Sequence, residues 1–287
     1  KEGLEIGKDF FLVYSPERED PGNKIYKTHN IPKIIGGCTK NCASIAKKIY
    51  SQITEEIIVL SSTRAAEMTK LVENIHRAVN IGLVNELKLI AEELGVDLYE
   101  VIRAAATKPF GFMPFFPGPG LGGHCIPIDP YYLTWKSKEF GIHTKFIELA
   151  EEINSSMPKY VVSKISNSLN DICQSVKKSA ILILGIAYKK NIDDARESPS
   201  LEIIDLLIRM GANIKYNDPY FPEFPKFRKY NFTIDSIEIT SENLEFFDCI
   251  VLLTDHDSFD YELIKNNSKL IIDTRGKYNN ASNIIRA

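Results

Sequence analysis

The 287-residue sequence predicts an α/β fold in which a helical region lies between two regions that alternate strand and helix. Two observations support this prediction. Short apolar runs of the kind that form buried strands lie near both ends of the chain, and long stretches with helical spacing lie between them. With 44% hydrophobic residues, the chain can fill the cores of two domains of ordinary size.

The first sixty residues predict part of an α/β unit. An apolar run at 10–14 predicts a buried strand, residues 41–53 have helical spacing, and 56–60 predicts a second strand. A strand, a helix and a strand over about 50 residues are the tail of such a unit rather than a whole domain. These sixty residues contain no G-x-G-x-x-G, the glycine turn that receives a dinucleotide pyrophosphate. We therefore expect residues 1–60 to be the remnant of a larger domain.

Residues 61–94 carry the longest helical pattern in the chain, and Gly95 follows as a candidate C-cap. A helix of this length would span about 50 Å, so it is expected to connect domains and to offer a face for dimerisation. Its predicted apolar face consists of Met68, Leu71, Val72, Ile75, Val79, Leu83, Leu87 and Ile90. Further helices are expected at 96–105, 129–140 and 145–171, which completes a central helical domain at 61–174.

The last part of the chain predicts a second α/β sheet. The run at 179–185 is apolar from Ala180 to Leu184, as expected of a parallel strand buried on both faces. The pattern continues with a helix at 200–210, a Gly211 cap and strands at 213–216, 247–253 and 270–272. A second α/β domain is therefore expected at 175–287.

Composition excludes several classes of function. A net charge of −3 gives no electrostatic reason to expect a nucleic-acid partner. No run approaches the roughly 18 apolar residues of a membrane span, and no secretion signal opens the chain. The five cysteines are scattered, form no disulfide framework and no CxxC metal pair, and therefore fit a cytoplasmic protein without a metal.

The stretch from Gly118 to Pro130 carries the most chemical information. Its glycines allow the backbone to approach a bulky ligand closely, and Cys125 stands at the end of the glycine run. Asp129 follows four residues later, where a helical pattern begins. A thiol in this setting suits covalent catalysis on a carbonyl, in which a thiolate adds to an aldehyde and carries the acyl group. The alternative is a buried cysteine in a glycine-rich turn.

The stretch around Cys125 resembles the catalytic-cysteine signature of the nucleotide-sugar 6-dehydrogenases, the UDP-glucose/GDP-mannose dehydrogenase family; it reads GPGLGGHCIPIDPYYLTWK. Further segments match this family in the same order along the chain. They are Tyr14 to Arg18, Glu67 through Asn74, Gly185 through Arg196, and Asp273 to Gly276. Together these matches span the whole sequence.

The resemblance implies an N-terminal Rossmann domain that binds NAD, a central helical dimerisation domain and a C-terminal Rossmann-like domain that binds UDP-sugar. The branch it favours is that of the UDP-N-acetylglucosamine 6-dehydrogenases. These enzymes oxidise C6 of a UDP-N-acetylhexosamine to the uronic acid in two NAD-dependent steps, by way of a cysteine thiohemiacetal and thioester, for polysaccharide synthesis. UDP-N-acetylmannosamine stays open as the alternative substrate, and N-acetylgalactosamine derivatives are used by enzymes with nearly the same cysteine motif. The partner expected is a second copy of the chain, in a homodimer.

Because residues 1–60 contain no G-x-G-x-x-G, this chain is expected to lack most of the NAD-binding Rossmann domain. The chain is then expected to be inactive by itself, so a non-catalytic module that binds UDP-sugar and dimerises is an alternative function. A thiol-dependent acyl transferase or hydrolase would require a Cys–His–acid triad, and no histidine motif supports one.

Catalytic roles fall on five residues by resemblance. Cys125 is the nucleophile, and Lys70 supports the oxyanion and the proton transfers. Asn74, four residues beyond Lys70 on the same helical face, positions a catalytic water. Asp129 lies beside the lysine and the water, and Glu17 acts as a general base in thioester hydrolysis.

The resemblance also implies a set of binding residues. Lys189 and Arg275 suit an anionic nucleotide, because guanidinium binds phosphate bidentately and an ammonium supplies a point charge. Arg196 is expected to reach NAD, which Cys125 also contacts, whereas His124 is expected to have a structural role or to lie at the edge of the ligand. The full set of expected substrate contacts is Glu17, Arg18, Lys70, Asn74, Phe116, Gly118, Gly120, Gly122, Tyr188, Lys189 and Arg275.

Overall fold

A computed structural model describes residues 3–123, 129–279 and 281–287. The chain divides into two compact units, residues 1–76 and residues 77–287. The boundary falls within one continuous helix. The three-domain division expected from the sequence stays a prediction.

The first unit contains a small mixed sheet. Its strands are β1 (Val13–Tyr14), β2 (Lys33–Gly37) and β3 (Ile57–Leu60), and helix α1 (Lys40–Tyr50) connects β2 to β3. β2 pairs antiparallel with β1 and parallel with β3. The Thr39 side chain begins α1 as its N-cap by accepting a hydrogen bond from the backbone N–H of Cys42. The predicted strand at 56–60 and the predicted helix are confirmed, whereas β2 was not predicted.

Four helices follow β3. Helix α2 (Thr63–Glu93) is 31 residues long and confirms the predicted long helix. Helix α3 (Leu98–Ala105) begins at the N-cap Asp97, whose side chain accepts from the backbone N–H groups of Tyr99 and Glu100. The set is completed by α4 (Asp129–Lys138) and α5 (Lys145–Asp171).

The second unit contains a parallel sheet with the strand order β5-β4-β6-β7-β8. The strands are β4 (Ala180–Leu184), β5 (Asn213–Asn217), β6 (Cys249–Leu252), β7 (Ile271–Asp273) and β8 (Ile284–Arg286). The helices between them are α6 (Pro199–Arg209), α7 (Ser241–Phe246) and α8 (Tyr261–Asn267). The predicted α/β class with parallel strands is confirmed.

Both faces of this sheet are buried. On β4, Ile181 and Ile183 join the cluster that includes α5 and α6, whereas Leu182 and Leu184 join the cluster that includes α7 and α8. This alternation follows from the two-residue period of a strand. Because both faces are covered, the strand is apolar throughout, which is the pattern that its sequence showed. No helix among the described residues is long and apolar enough to cross a membrane.

Candidate functional site

The carboxyl ends of the parallel strands in the second unit gather several polar groups. The turn that begins at Gly185 follows β4, Thr254 follows β6, and Arg275 follows β7. The chain leaves β4 towards β5 on one side and later returns to form β6 on the other side. Open α/β sheets bind ligands outside the carboxyl ends of their strands at such a reversal of strand order. This edge is therefore the first place to expect a ligand.

The glycine-rich loop lies against this edge at very short distances. A Cβ added at Gly118 would lie 2.9 Å from Nη1 of Arg275, and one at Gly122 would lie 2.5 Å from Cβ of Tyr188. The backbone N–H of Gly123 donates to the carbonyl oxygen of Arg196 at 3.1 Å. Only glycine permits an approach this close. The structure thus brings the predicted loop glycines together with three predicted residues of the C-terminal sheet.

Buried amides hold the loop from its other side. Oδ1 of Asn85 on α2 accepts from the backbone N–H of Gly118 at 3.0 Å. Nδ2 of Asn85 donates to Oδ1 of Asn154 on α5 at 2.9 Å, and Asn154 donates in turn to the carbonyl of Ala78 at 3.1 Å. Both asparagines are buried. A fully satisfied buried network of this kind fixes one arrangement of the backbone that it contacts.

Tyr99 on α3 connects the loop to the end of β7. Its hydroxyl lies 3.2 Å from the carbonyl oxygen of Pro117 and 2.9 Å from that of Thr274, and its ring is buried. Arg275 is held at the same place, because its Nε donates to the carbonyl of Leu253 at 2.7 Å. The loop and the Arg275 guanidinium therefore have fixed relative positions.

Gly276 allows Tyr99 to occupy this position, and replacing it with alanine should destabilise the second unit. A Cβ at Gly276 would lie 2.4 Å from the Tyr99 ring, and the residue has φ +63°. Gly95 is the matched control, because it has φ +67° and no atom within 4 Å of an added Cβ. We expect Gly95→Ala to cost about 1–2 kcal/mol for the backbone conformation, and Gly276→Ala to cost a further ~1–3 kcal/mol for overpacking.

Thermal and urea unfolding give the free energy of unfolding of both variants. Equal losses in the two variants would contradict the assigned role of the Tyr99 contact. A larger loss of stability in Gly276→Ala than in Gly95→Ala would support it, provided that this difference disappears when both glycine variants are compared in a Tyr99→Ala background.

The turn after β4 is anchored by a buried aspartate. Oδ2 of Asp218 accepts from the backbone N–H groups of Ile186 at 2.7 Å and Ala187 at 3.0 Å. Nδ1 of His256 accepts from the Asn191 N–H at 3.0 Å, so its Nε2 carries the proton and donates to Asp218 at 3.2 Å. Burial acts to raise the pKa of Asp218, but these hydrogen bonds lower it overall. The turn that carries Tyr188 and Lys189 is thereby held in place.

Glu17 in the first unit is an exposed carboxylate with three donors. Lys33 Nζ donates to Oε2 at 2.9 Å, and the backbone N–H groups of Arg18 and Glu19 donate to Oε1 at 2.7 and 2.9 Å. Burial acts to raise the pKa of Glu17, but these donors outweigh it and lower the pKa overall. The group is therefore held ionised, which favours hydrogen-bond acceptance and weakens it as a base.

Arg18 is bound to α2 of the same unit. Its Nε and Nη2 contact the carboxylate of Glu73 at 2.6–3.2 Å, and its Nη1 donates to the carbonyl of Pro32 at 2.8 Å. This guanidinium fixes the segment after β1 to the helix that carries Lys70 and Asn74. Asn74 is buried and Lys70 is half-buried. The role of Arg18 in binding substrate stays a prediction.

The remaining predicted residues have varied settings. Phe116 is exposed and stacks on Tyr99 with ring centroids 6.2 Å apart. Gly120 faces Pro199, Asp129 begins α4, and the exposed Arg196 side chain forms an ion pair with Asp194.

Cys125, the predicted nucleophile, and His124 lie outside the described residues. Within the described parts of the chain, no group of three histidine, cysteine or acidic side chains could hold a metal ion.

Sequence reasoning missed Asn85, Asn154, Tyr99, Asp218 and His256. A signal was present for the two asparagines, since each interrupts a long helical pattern with a polar residue. An amide at a buried helical position requires hydrogen-bond partners. The partners themselves, a loop amide and a second helix, are not indicated by spacing along the chain.

The fold and this edge define an α/β protein with a parallel sheet, and comparison with known proteins identifies its family. Models of the UDP-glucose/GDP-mannose dehydrogenase family match three parts of the chain. The NAD binding domain matches residues 1–54, the central domain matches 64–156, and the UDP binding domain matches 182–280. The chain belongs to the UDP-glucose/GDP-mannose dehydrogenase family.

Similar proteins agree with this membership. A UDP-N-acetyl-D-mannosamine dehydrogenase of Methanococcus maripaludis is 36% identical over 94% of this chain and 61% of its own length. A UDP-N-acetyl-D-glucosamine 6-dehydrogenase of Pseudomonas aeruginosa is 34% identical over 93% of this chain and 62% of its own length. The solved UDP-D-ManNAc dehydrogenase of Pyrococcus horikoshii superposes with a TM-score of 0.85 at 33% identity, covering 99% of this chain and 66% of that one. The chain thus spans about three fifths of the length of these curated relatives.

One expectation from the sequence is wrong. The absence of G-x-G-x-x-G from residues 1–60 predicted that most of the NAD-binding domain is missing, but the family's NAD binding domain matches residues 1–54. The predicted inactivity of the chain rested on that absence and loses its basis. A single motif tests one turn, whereas a domain model tests residues distributed over a whole segment.

Proposed function

We propose that the protein oxidises C6 of a UDP-N-acetylhexosamine to the uronic acid with NAD. The observation that carries this proposal is the seating of the glycine-rich loop against Tyr188 and Arg275 at the carboxyl edge of the parallel sheet. The edge offers a guanidinium for an anionic ligand next to a backbone without side chains, as a nucleoside diphosphate requires. Family membership supplies the reaction class.

The proposed chemistry centres on Cys125. Its thiolate adds to the C6 aldehyde and forms a thiohemiacetal, and oxidation of that adduct leaves a thioester. Water then attacks the thioester carbonyl, the C–S bond breaks, and the acid and the thiol are released. Retaining the carbon on sulfur prevents escape of a reactive aldehyde.

We assign roles in this reaction to further residues. We assign Lys70 to the developing oxyanion, and Asn74 and Asp129 to the orientation of water. The lowered pKa of Glu17 suits acceptance of a hydrogen bond from water or a sugar hydroxyl. Tyr188, Lys189 and Arg275 are assigned to the UDP moiety, together with the loop glycines. Arg196, which is exposed, is assigned to NAD.

NAD, when bound, supplies the hydride acceptor for the two oxidations. The turn between β2 and α1 does not fit its pyrophosphate. A Cβ at Gly36 would lie 2.1 Å from the carbonyl oxygen of Ser62, and one at Gly37 would lie 2.5 Å from the backbone nitrogen of Ala43. The protein's own backbone fills the space beside both glycines. We therefore assign the phosphates of NAD to no residue of this turn.

We propose UDP-N-acetylglucosamine as the substrate and UDP-N-acetylmannosamine as the alternative. The similar proteins include dehydrogenases for both sugars, and the two differ only in configuration at C2. Production of NADH at 340 nm with each UDP-sugar distinguishes them. Binding of UDP-sugar with no NADH from either sugar would favour the non-catalytic binding module.

Arg275→Gln should weaken UDP binding by about 10-fold or more, because a charge-assisted contact to phosphate is lost. Arg209→Gln is the control, since this exposed arginine pairs with Asp205 on the surface of α6. Titration calorimetry with UDP measures both variants. Equal affinities for Arg275→Gln and the unaltered protein would remove Arg275 from the proposed site, whatever the activity.

We also propose that the protein forms a homodimer through α2. Most of the apolar face predicted from the sequence is exposed in the chain, including Met68, Val72, Leu83, Leu87 and Ile90. A long apolar stripe of this kind requires a covering surface. Light scattering at micromolar protein concentration measures the expected doubled mass.

A further inference from the structure

A second site of interest is a cavity whose lining contains no residue predicted for the nucleotide-sugar site. It has a volume of about 260 Å³ and lies between the end of α2, the start of α3, α5 and β8. Its charged and aromatic lining consists of Lys88, Glu92, Asp97, Tyr99, Tyr160 and Arg286. This volume is smaller than the several hundred Å³ typical of drug-sized ligands. The cavity therefore suits a small ion or metabolite rather than a nucleotide.

Lys88 is a buried amine that the described residues leave without a hydrogen-bond partner. Its side chain is 5% exposed, and its Nζ lies 5.5 Å from the centre of the Tyr160 ring. Glu92, one turn further along α2, is already engaged by Lys164 and by the hydroxyl of Tyr160. A buried ammonium without an acceptor is costly, so its presence calls for a physical explanation.

Arg286 adds a second donor to the same cavity wall. Its guanidinium pairs with Asp97, donates from Nη2 to the carbonyl of Tyr278 at 2.8 Å, and lies over the Tyr99 ring. Its Nε is buried and has no acceptor within the described part of the chain. Asp97 also caps α3. Both carboxylates that line the cavity are thus already paired. Lys88 and Arg286 still have N–H donors without an acceptor among the described residues.

The charges around Lys88 favour an added anion. The pKa of Lys88 is lowered to about 7, mainly by burial; Asp273 acts to raise it, and Arg275 and Lys164 act to lower it. An anion beside Nζ would favour the ammonium form and raise this pKa. Binding of an anion above pH 7 would therefore be accompanied by uptake of a proton by Lys88.

We propose that this cavity binds a small oxyanion through Lys88 and Arg286. Inorganic phosphate and a short dicarboxylate share the required chemistry, which is a compact anion with several acceptor oxygens. The two donors without acceptors supply the contacts, and the aromatic and aliphatic walls limit the size of the ligand.

Titration calorimetry with the whole chain tests the proposal, using sodium phosphate and sodium malonate separately in cationic buffers. We expect saturable binding of at least one anion, weakened about 10-fold or more by Lys88→Met. Lys159→Met on α5, which changes an exposed lysine, should bind within about 2-fold of the unaltered protein. Phosphate binding without malonate binding identifies a phosphate site, and the reverse identifies a carboxylate site.

A second measurement is independent of any variant. Carbon-13 NMR of the lysine ε-methylene groups should show one resonance that titrates near pH 7 and moves to higher pH with the bound anion. No saturable binding of either anion, or equal binding by Lys88→Met, would overturn the proposal and leave water as the occupant. An anion that binds without moving this titration would also overturn it.

Discussion

Cys125→Ser should reduce uronate formation by on the order of 10³-fold or more while UDP affinity stays within a few-fold. A serine hydroxyl is far less ionised at neutral pH than a thiol, so addition to the aldehyde is lost. The UDP contacts that we assign to Tyr188, Lys189 and Arg275 remain. Uronate is measured by chromatography after incubation with NAD and UDP-N-acetylglucosamine, and UDP affinity is measured by calorimetry.

The chain contains matched controls for this substitution. Cys38 and Cys173 are exposed thiols, and serine at either position should leave activity unchanged. A shared loss in all three variants would indicate a general effect of thiol removal. Undiminished uronate production by Cys125→Ser would rule out the covalent mechanism.

The central strands β4 and β6 of the second unit were predictable because both faces of the sheet are covered. Such strands are continuously apolar, and 180–184 and 249–253 stand out within the predicted runs 179–185 and 247–253. β2 and β8 were missed for a physical reason. Each has only two or three apolar residues in sequence. Each strand forms because it pairs with a neighbouring strand, and composition does not reveal that pairing.

Helix α2 shows how periodicity can identify a helix and mislead about its buried face. The large apolar residues chosen from the spacing are mostly exposed. The buried positions instead carry small or polar residues, among them Ala78, Val84, Asn85, Lys88 and Ala91. Small side chains allow α5 to approach closely, since a Cβ at Gly82 would lie 3.1 Å from Cα of Ala150. The residues that organise the loop and the second cavity were therefore hidden on the less apolar face.

The charged and hydrogen-bonding neighbours of Glu17 could not be predicted from the sequence either. The sequence indicates a carboxylate at the end of a strand, but Lys33 lies sixteen residues away and approaches only because β2 pairs with β1. The resulting low pKa changes the expected role from a base to an acceptor of hydrogen bonds. Contacts created by strand pairing decide the chemistry of such a group.

Lys70→Ala should lower kcat by about 10²-fold or more and change the KM for UDP-sugar far less, because loss of one oxyanion-stabilising group typically costs that much. Lys70 lies on α2 one turn before the buried Asn74, and the Arg18–Glu73 ion pair fixes this part of the helix. Lys47→Ala on α1 is the control, since that lysine is exposed. Steady-state NADH production gives kcat and KM for each variant, and Lys70→Arg should recover part of the rate because it keeps the positive charge. A change confined to KM would make Lys70 a substrate anchor, since an interaction present equally in the ground and transition states leaves kcat unaltered.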